Sequence, residues 1–262
     1  MSQAEKRPDS PNVALFITCL TDQFYPRVGV AVTKILERFG CRVHFPTGQT
    51  CCGQPFFNNG FHEQSAELAK RFIQVFEDPK FDYIVTPSGS CCAMVREQFH
   101  QLLHHDHAWE HGLHRVVSRT FEFVEFLDKV LKVDLSELKV ALPSSRSVTY
   151  HYTCHLRGIG VKDEGVKLLK QIDGVDFVPL EKTDQCCGFG GTFAVKYPAI
   201  SGAIVQDKVE CIARTGAKVA ICNDAGCTMN ISGMCHRAGV STRIVHIAEL
   251  MAEAMGIDLG GW

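Results

Sequence analysis

The chain has 262 residues, enough for one large domain or two of about 130 residues each, and its 45% apolar and 21% charged content is that of a soluble globular protein. A formal net charge of −2 supplies no long-range field to draw in nucleic acid or an anionic membrane surface. The start, 1–10, is polar and carries acids, unlike a signal peptide, and the longest clean apolar run, 13–17, is far too short to cross a bilayer. A cytoplasmic protein without a transmembrane segment is expected.

In chain order, residues 13–18 form an apolar run that reads as a buried strand ending at Cys19. Apolar residues at three- and four-residue spacing predict a helix over 28–39, followed by a short strand at 42–45. Cys51-Cys52-Gly53 then falls in a loop. An amphipathic helix over 63–76 leads to a strand at 83–86, which delivers Cys91. In the next stretch His100, His104, His107, His111 and His114 keep helical spacing. It is read as a solvated helix end and loop broken by Gly112, not as a metal or proton-relay stripe, because nothing later in the chain matches it. Residues 114–131 read as a closing strand and helix.

Residues 133–147, with Pro143 and several serines, make the best linker. The pattern then starts again. A strand at 148–153 ends at Cys154, a helix covers 161–172, and a strand lies at 175–178. Cys186-Cys187-Gly188 is in a loop, followed by a helix over 199–214, a strand at 218–222, Cys227, and a strand and helix over 243–255. Alternating strands and helices favour parallel units with right-handed crossovers. The expected fold class is therefore α/β, built as two tandem, internally duplicated domains, 1–132 and 148–262, joined by the linker.

Thirteen cysteines stand out. Disulfide frameworks suit small exported chains, whereas this one is long, rich in core residues and odd in cysteine count. The cysteines instead follow the repeat. Cys19, Cys51 and Cys52 recur as Cys154, Cys186 and Cys187 at an offset of 135, with 31 residues between the first and second cysteine each time. Pro87-Ser-Gly-Ser-Cys91 matches Asn223-Asp-Ala-Gly-Cys227 at an offset of 136. Each half thus gathers four thiols, the usual complement of an iron–sulfur cluster. Adjacent cysteines suit a multinuclear centre better than a structural zinc site, which favours cysteines two to four residues apart. Glycine after each pair permits backbone that a side chain would forbid. The run Gly188-Phe-Gly-Gly191 lacks the phosphate-loop signature.

The doubled motif resembles the cysteine-rich CCG domain group. The matching segments are Cys19-Leu20, Cys51-Cys-Gly-Gln-Pro55, Pro87-Ser-Gly-Ser-Cys91, Cys154-His155, Cys186-Cys-Gly-Phe-Gly-Gly191 and Asp224-Ala-Gly-Cys227. That group includes the cysteine-rich subunit of the heterodisulfide reductases, the C-terminal part of the glycolate oxidase iron–sulfur subunit, and a stand-alone two-domain lactate-utilization branch similar in length to this chain. The resemblance implies iron–sulfur clusters, one per half, held by Cys19, Cys51, Cys52 and Cys91 and by Cys154, Cys186, Cys187 and Cys227. It also implies an electron-transfer subunit of a multi-subunit L-lactate (2-hydroxyacid) oxidation complex. Its partners would be a ferredoxin-like iron–sulfur subunit and a further small subunit.

One departure stands against simple transfer. The reductases end each motif in CxxC, five cysteines per half, and here Ser88 and Asp224 occupy the first of those positions. Asp224 as an oxygen ligand, Cys92 or Cys222 as substitutes, a conventional four-iron cluster, and zinc in one half all stay open. So do two other functions, thiol–disulfide reduction and a zinc-binding assembly scaffold. Cys41 and Cys211 read as small core hydrophobes, and Cys235 has no partner in the repeat. His155, beside Cys154, is placed to tune a cluster by hydrogen bonding, which its counterpart Leu20 cannot do. Arg157 is assigned a similar role or contact with a partner's acids. No flavin or nicotinamide fingerprint, ferredoxin-type cysteine run or nucleophile–base constellation is present, so hydride chemistry falls to another subunit.

Overall fold

The computed structural model describes residues 10–260; the polar start lies, up to residue 9, outside the described residues. The first half runs β1 (Asn12–Leu15), α1 (Cys19–Phe24), α2 (Pro26–Arg38), β2 (Arg42–His44), α3 (Gln54–Phe57), α4 (His62–Phe76) and β3 (Tyr83–Thr86). Then α5 (Gly89–Ala93) passes through a π-helical stretch, Met94–Gln98, into α6 (Phe99–Leu103). This half closes with α7 (Glu110–Arg119), β4 (Thr120–Glu122) and α8 (Phe123–Glu125).

The second half repeats the plan with β5 (Ala141–Tyr150), α9 (Cys154–Gly158), α10 (Glu164–Lys170), β6 (Asp173–Phe177), α11 (Phe193–Lys196) and α12 (Pro198–Thr215). It ends with β7 (Val219–Cys222), α13 (Ala225–Ala238), β8 (Arg243–His246) and α14 (Ile247–Ala254). Each half forms a parallel four-stranded sheet, ordered β2-β1-β3-β4 and β6-β5-β7-β8. The two orders are the same, as duplication requires.

Local chemistry accounts for the element ends. Pro26 opens α2 with its φ already helical. Val28, Ala31, Val32, Ile35 and Leu36 then form one buried stripe on that helix. Gly216 and Gly239, both at positive φ, end α12 and α13. The central strands carry continuous apolar runs, as strands covered on both faces do.

Two expectations are corrected. The stretch 133–147 is not all connector, because 141–147 already belong to β5 and pair with β6 despite Pro143. Pro143 sits where the ladder shifts register between Ala141 and Arg146, a place where a missing N–H is tolerated. Nor does Gly112 break a helix. It is buried inside α7, where a Cβ would lie 2.6 Å from Ile73, so glycine there allows α7 to approach α4 closely. The histidines around it are exposed.

The halves share a core. One buried cluster joins Val13, Leu15, Val32 and Leu36 to Val148, Ile221, Leu250 and Met251. Each such aliphatic side chain contributes about 1.5–3 kcal/mol when fully buried. The packing is reciprocal: α14 lies on α2, and α8 lies on α10. The same reciprocity brings α5 against α9 and α1 against α13, so the cysteine-bearing ends of opposite halves meet. Among the described residues no helix is long and apolar enough to cross a membrane.

Candidate metal centre

The cysteines lie beyond the carboxyl ends of the central strands, where parallel α/β sheets place their sites. Cys19 opens α1 just beyond β1, and Cys154 opens α9 just beyond β5. Cys91 and Cys227 sit in the first turns of α5 and α13. The adjacent pairs come from loops held by their glycines. Gly53 has φ +88° and Gly188 φ +81°, and a Cβ at these positions would meet Ser65 Oγ at 2.9 Å and Ser201 O at 2.7 Å. Ser65 and Ser201, on α4 and α12, donate to the carbonyls of Gly53 and Gly188 at 3.1 and 2.8 Å.

The turns aim both thiols of each pair the same way. In the first half Cys19 Sγ lies 3.7 Å from Cys51 Sγ, and Cys52 Sγ lies 3.3 Å from Cys91 Sγ. In the second half Cys187 and Cys227 are 3.0 Å apart, and Cys154 contacts Cys186. All eight cysteines named in the repeat are thus gathered, four and four. All thirteen cysteines are free of disulfides.

Each quartet has one preferred thiolate. Hydrogen bonds from Cys19, Cys52 and the Gly53 amide hold the Cys51 thiol down at about 3. Cys154, Cys187 and the Gly188 amide hold Cys186 down at about 2. The donors Cys19, Cys52, Cys154 and Cys187 are pushed up in turn by the same hydrogen bonds and by burial. Four converging thiols with one preformed thiolate fit a metal–thiolate group, since a bound cation compensates the charge that burial penalises. A single tetrahedral ion with bonds of about 2.3 Å places sulfurs about 3.8 Å apart. A multinuclear cluster needs the thiols to spread from their present spacing.

Both quartets line one cavity of about 370 Å³, together with Thr18, Gln54, Pro55 and Phe189. Near the rim, Asn59 of the first half donates to Thr192 Oγ1 and accepts from Lys196 Nζ of the second, each at 2.5 Å.

Ser88 and Asp224, at the positions of the missing fifth cysteines, meet each other across the halves. Ser88 Oγ donates to Asp224 Oδ2 at 2.9 Å, and the Ser90 amide donates to the same oxygen at 3.0 Å. The Gly226 amide donates to Oδ1 at 3.0 Å. Both carboxylate oxygens therefore already accept hydrogen bonds. Cys92 is buried in the core shared by the halves, and Cys222 in the second-half core; burial pushes both thiols up. Cys41 is buried in the core shared by the halves, and Cys211 and Cys235 in the second-half core that also packs Cys187 and Cys227. His155 Nδ1 lies 3.6 Å from Cys154 Sγ and its Nε2 lies 3.4 Å from Gln54 Nε2, which links the halves. Arg157 pairs with Asp184 at 3.1 Å within the chain.

The sequence reading missed His151. This residue is 1% exposed, just beyond β5, and its amide donates to Ile221 O. Neither ring nitrogen has a hydrogen-bond partner. A ring nitrogen and the sulfurs of Cys187 and Cys227 all lie within 4.8 Å of one another. Burial, and then the charge of Lys208, lower its pKa to about 3, so the ring is neutral with one lone pair free. At the equivalent place in the first half stands Phe16, packed edge-on against Phe72 at 5.0 Å between ring centroids. Aligning the repeats would have exposed this histidine-for-phenylalanine exchange, which an apolar run otherwise hides.

The sequence profile of the cysteine-rich domain, CCG, matches residues 13–96 and 148–232. A protein named Lactate utilization protein A from an Exiguobacterium species is 44% identical over 246 residues, covering 94% of this chain and 98% of that protein. One of the same name from Geobacillus kaustophilus is 45% identical over 240 residues, covering 91% and 98%. Among solved structures, a hypothetical protein from Helicobacter pylori shares the fold at a TM-score of 0.62 and 10% identity, over 96% of this chain and 51% of that one. Twice-matched and aligned nearly end to end with such relatives, the chain belongs to the cysteine-rich CCG domain family.

Proposed function

We propose that this protein is an iron–sulfur electron-transfer subunit of a multi-component system that oxidises L-lactate. The observation that carries the reading is the pair of four-thiol sets facing one cavity. Cys19, Cys51, Cys52 and Cys91 hold one centre, and Cys154, Cys186, Cys187 and Cys227 the other. Such centres supply one-electron chemistry when bound. The chain's own residues keep the thiols convergent on the cavity and offer Gln54 and His155 as polar groups between the centres. Asp224 acts as a clasp between the halves, on the hydrogen bonds it accepts from Ser88 and Ser90.

The substrate assignment rests on the name borne by the relatives. Lactate dehydrogenation removes a hydride equivalent, which iron–sulfur centres do not accept as such, so a partner subunit supplies that step. A ferredoxin-like subunit and a further small subunit are the proposed partners, in the cytoplasm. Exposed Phe56, Phe61, Val195 and Tyr197 flank the Asn59–Thr192 bridge in sequence and offer an apolar docking rim.

A second reading has one observation in its favour. The 3.0–3.7 Å spacing of the thiols is closer to a single ion than to a cluster, so zinc in one half fits as well. Anaerobic purification followed by iron, zinc and acid-labile sulfide analysis with electron paramagnetic resonance (EPR) separates the two. About eight irons with matching sulfide per chain are expected for two four-iron centres. Stoichiometric zinc without sulfide in both halves contradicts electron transfer.

A further inference from the structure

We infer that the His151 imidazole is a direct ligand of the metal in the second half, which gives that centre mixed thiolate–imidazole coordination while the first stays all-thiolate. The inference rests on the second quartet's being a metal centre, as proposed above, and adds a residue outside the repeated cysteine skeleton.

Four observations converge on it. The ring is buried, yet both its nitrogens lack hydrogen-bond partners, an unfavourable arrangement that a bound cation would relieve. A ring nitrogen lies within 4.8 Å of both Cys187 Sγ and Cys227 Sγ. Around a tetrahedral ion, metal–sulfur bonds of about 2.3 Å and metal–nitrogen bonds of about 2.0–2.1 Å set a sulfur–nitrogen separation of about 3.6 Å. From within 4.8 Å, a shift of about 1 Å at most brings the ring into the coordination sphere. The residue that sequence offers as an extra ligand, Asp224, is already occupied by Ser88, Ser90 and Gly226. Finally, Phe16 stands at the same place in the first half and has no lone pair to give.

Burial, and second the charge of Lys208, keep the ring neutral. The Lys208 ammonium is buried on α12 and donates to the carbonyl of Lys182, leaving a positive charge near the histidine but not bonded to it. Protonation of the ring is disfavoured, and the nitrogen lone pair stays available to a cation.

The test is X-ray absorption at the iron and zinc edges of the tag-free, full-length protein purified without oxygen. The native chain is expected to show imidazole scattering from one ring, and His151→Phe to lose it while the first-half metal persists. A sulfur-only shell in the native protein overturns the assignment, as does an imidazole signature unchanged in His151→Phe. Should His151→Phe shed its second-half metal, His151→Cys decides. A thiolate at 151 that restores the metal with an all-sulfur shell supports ligation, whereas imidazole scattering that persists in that variant places the ring elsewhere, on His155. Metal with a sulfur-only shell removes His151 alone; no metal at either edge removes the proposed function with it.

Discussion

The two halves share a skeleton and differ in what surrounds it. Phe16 belongs to an aromatic cluster with Phe72 and Phe76, and His151 replaces it beside Cys187 and Cys227. Leu20 is answered by His155, which contacts Cys154 and reaches Gln54 across the cavity. Glu122 and His246, each capping a closing helix, form another pair. Glu122 accepts from Asn223 of the opposite half, and His246 Nε2 meets Pro87 O of its opposite half. Duplication preserved the thiols and the contacts between halves, while the charged and titratable groups around the thiols diverged. The same four cysteines thus sit in two electrostatic settings.

The largest difference is expected from the glycines after the cysteine pairs. A Cβ at Gly188 meets the backbone oxygen of Ser201, which cannot move without α12, whereas a Cβ at Gly53 first meets a serine side chain that can turn away. Both positions also have positive φ, which alone costs about 1–3 kcal/mol for a residue with a side chain. Gly188→Ala should therefore lose its half's metal and lower the melting temperature more than Gly53→Ala does. Equal losses measured by calorimetry and metal analysis would remove this distinction.

Glu122 and His246 should have opposite pH signatures. Burial raises the Glu122 carboxyl to about 8, so the folded chain keeps a proton that the unfolded chain releases above about 4.5. Its contribution is full below 4.5 and is lost as pH rises to about 8, at roughly 1.4 kcal/mol per unit and a few kcal/mol in all. Burial lowers His246 to about 4, so its contribution is full above about 6.5 and is lost as pH falls toward 4. Glu122→Gln should flatten the alkaline decline of stability in urea titrations, and His246→Asn the acid one. A Glu122→Gln chain that declines as steeply between pH 6.5 and 8 as the native chain contradicts the buried, protonated carboxyl.

A smaller effect is expected at the clasp. Asp224→Asn weakens charge-assisted hydrogen bonds from Ser88, Ser90 and Gly226 and should cost about 1–3 kcal/mol with metal content unchanged. Loss of one half's metal would instead return Asp224 to the ligand set.

Much of the molecule was legible in the sequence for a physical reason. Parallel strands buried on both faces leave short apolar runs, and ligands placed just beyond them repeat with the fold, so Cys19 and Cys154 mark the ends of β1 and β5. What a linear reading does not carry is how one half turns toward the other. Nothing local says that Ser88 meets Asp224, that Gln54 reaches His155, or that both quartets face one cavity. Gly112 misled because glycine lowers helix propensity, whereas here close packing on Ile73 decides. His151 was hidden by its position in a strand-like run, where a polar residue reads as noise until a metal site is placed beside it.

The most direct test compares the chain with its two single-half variants, Cys52→Ser and Cys187→Ser, purified anaerobically and followed by metal analysis and EPR. Two chemically distinct centres predict that each variant keeps about half the native metal and that the two residual spectra differ and sum to that of the native protein. If either single substitution empties both halves while the chain remains folded, or if the two residual spectra are identical, the claim of two distinct centres is contradicted.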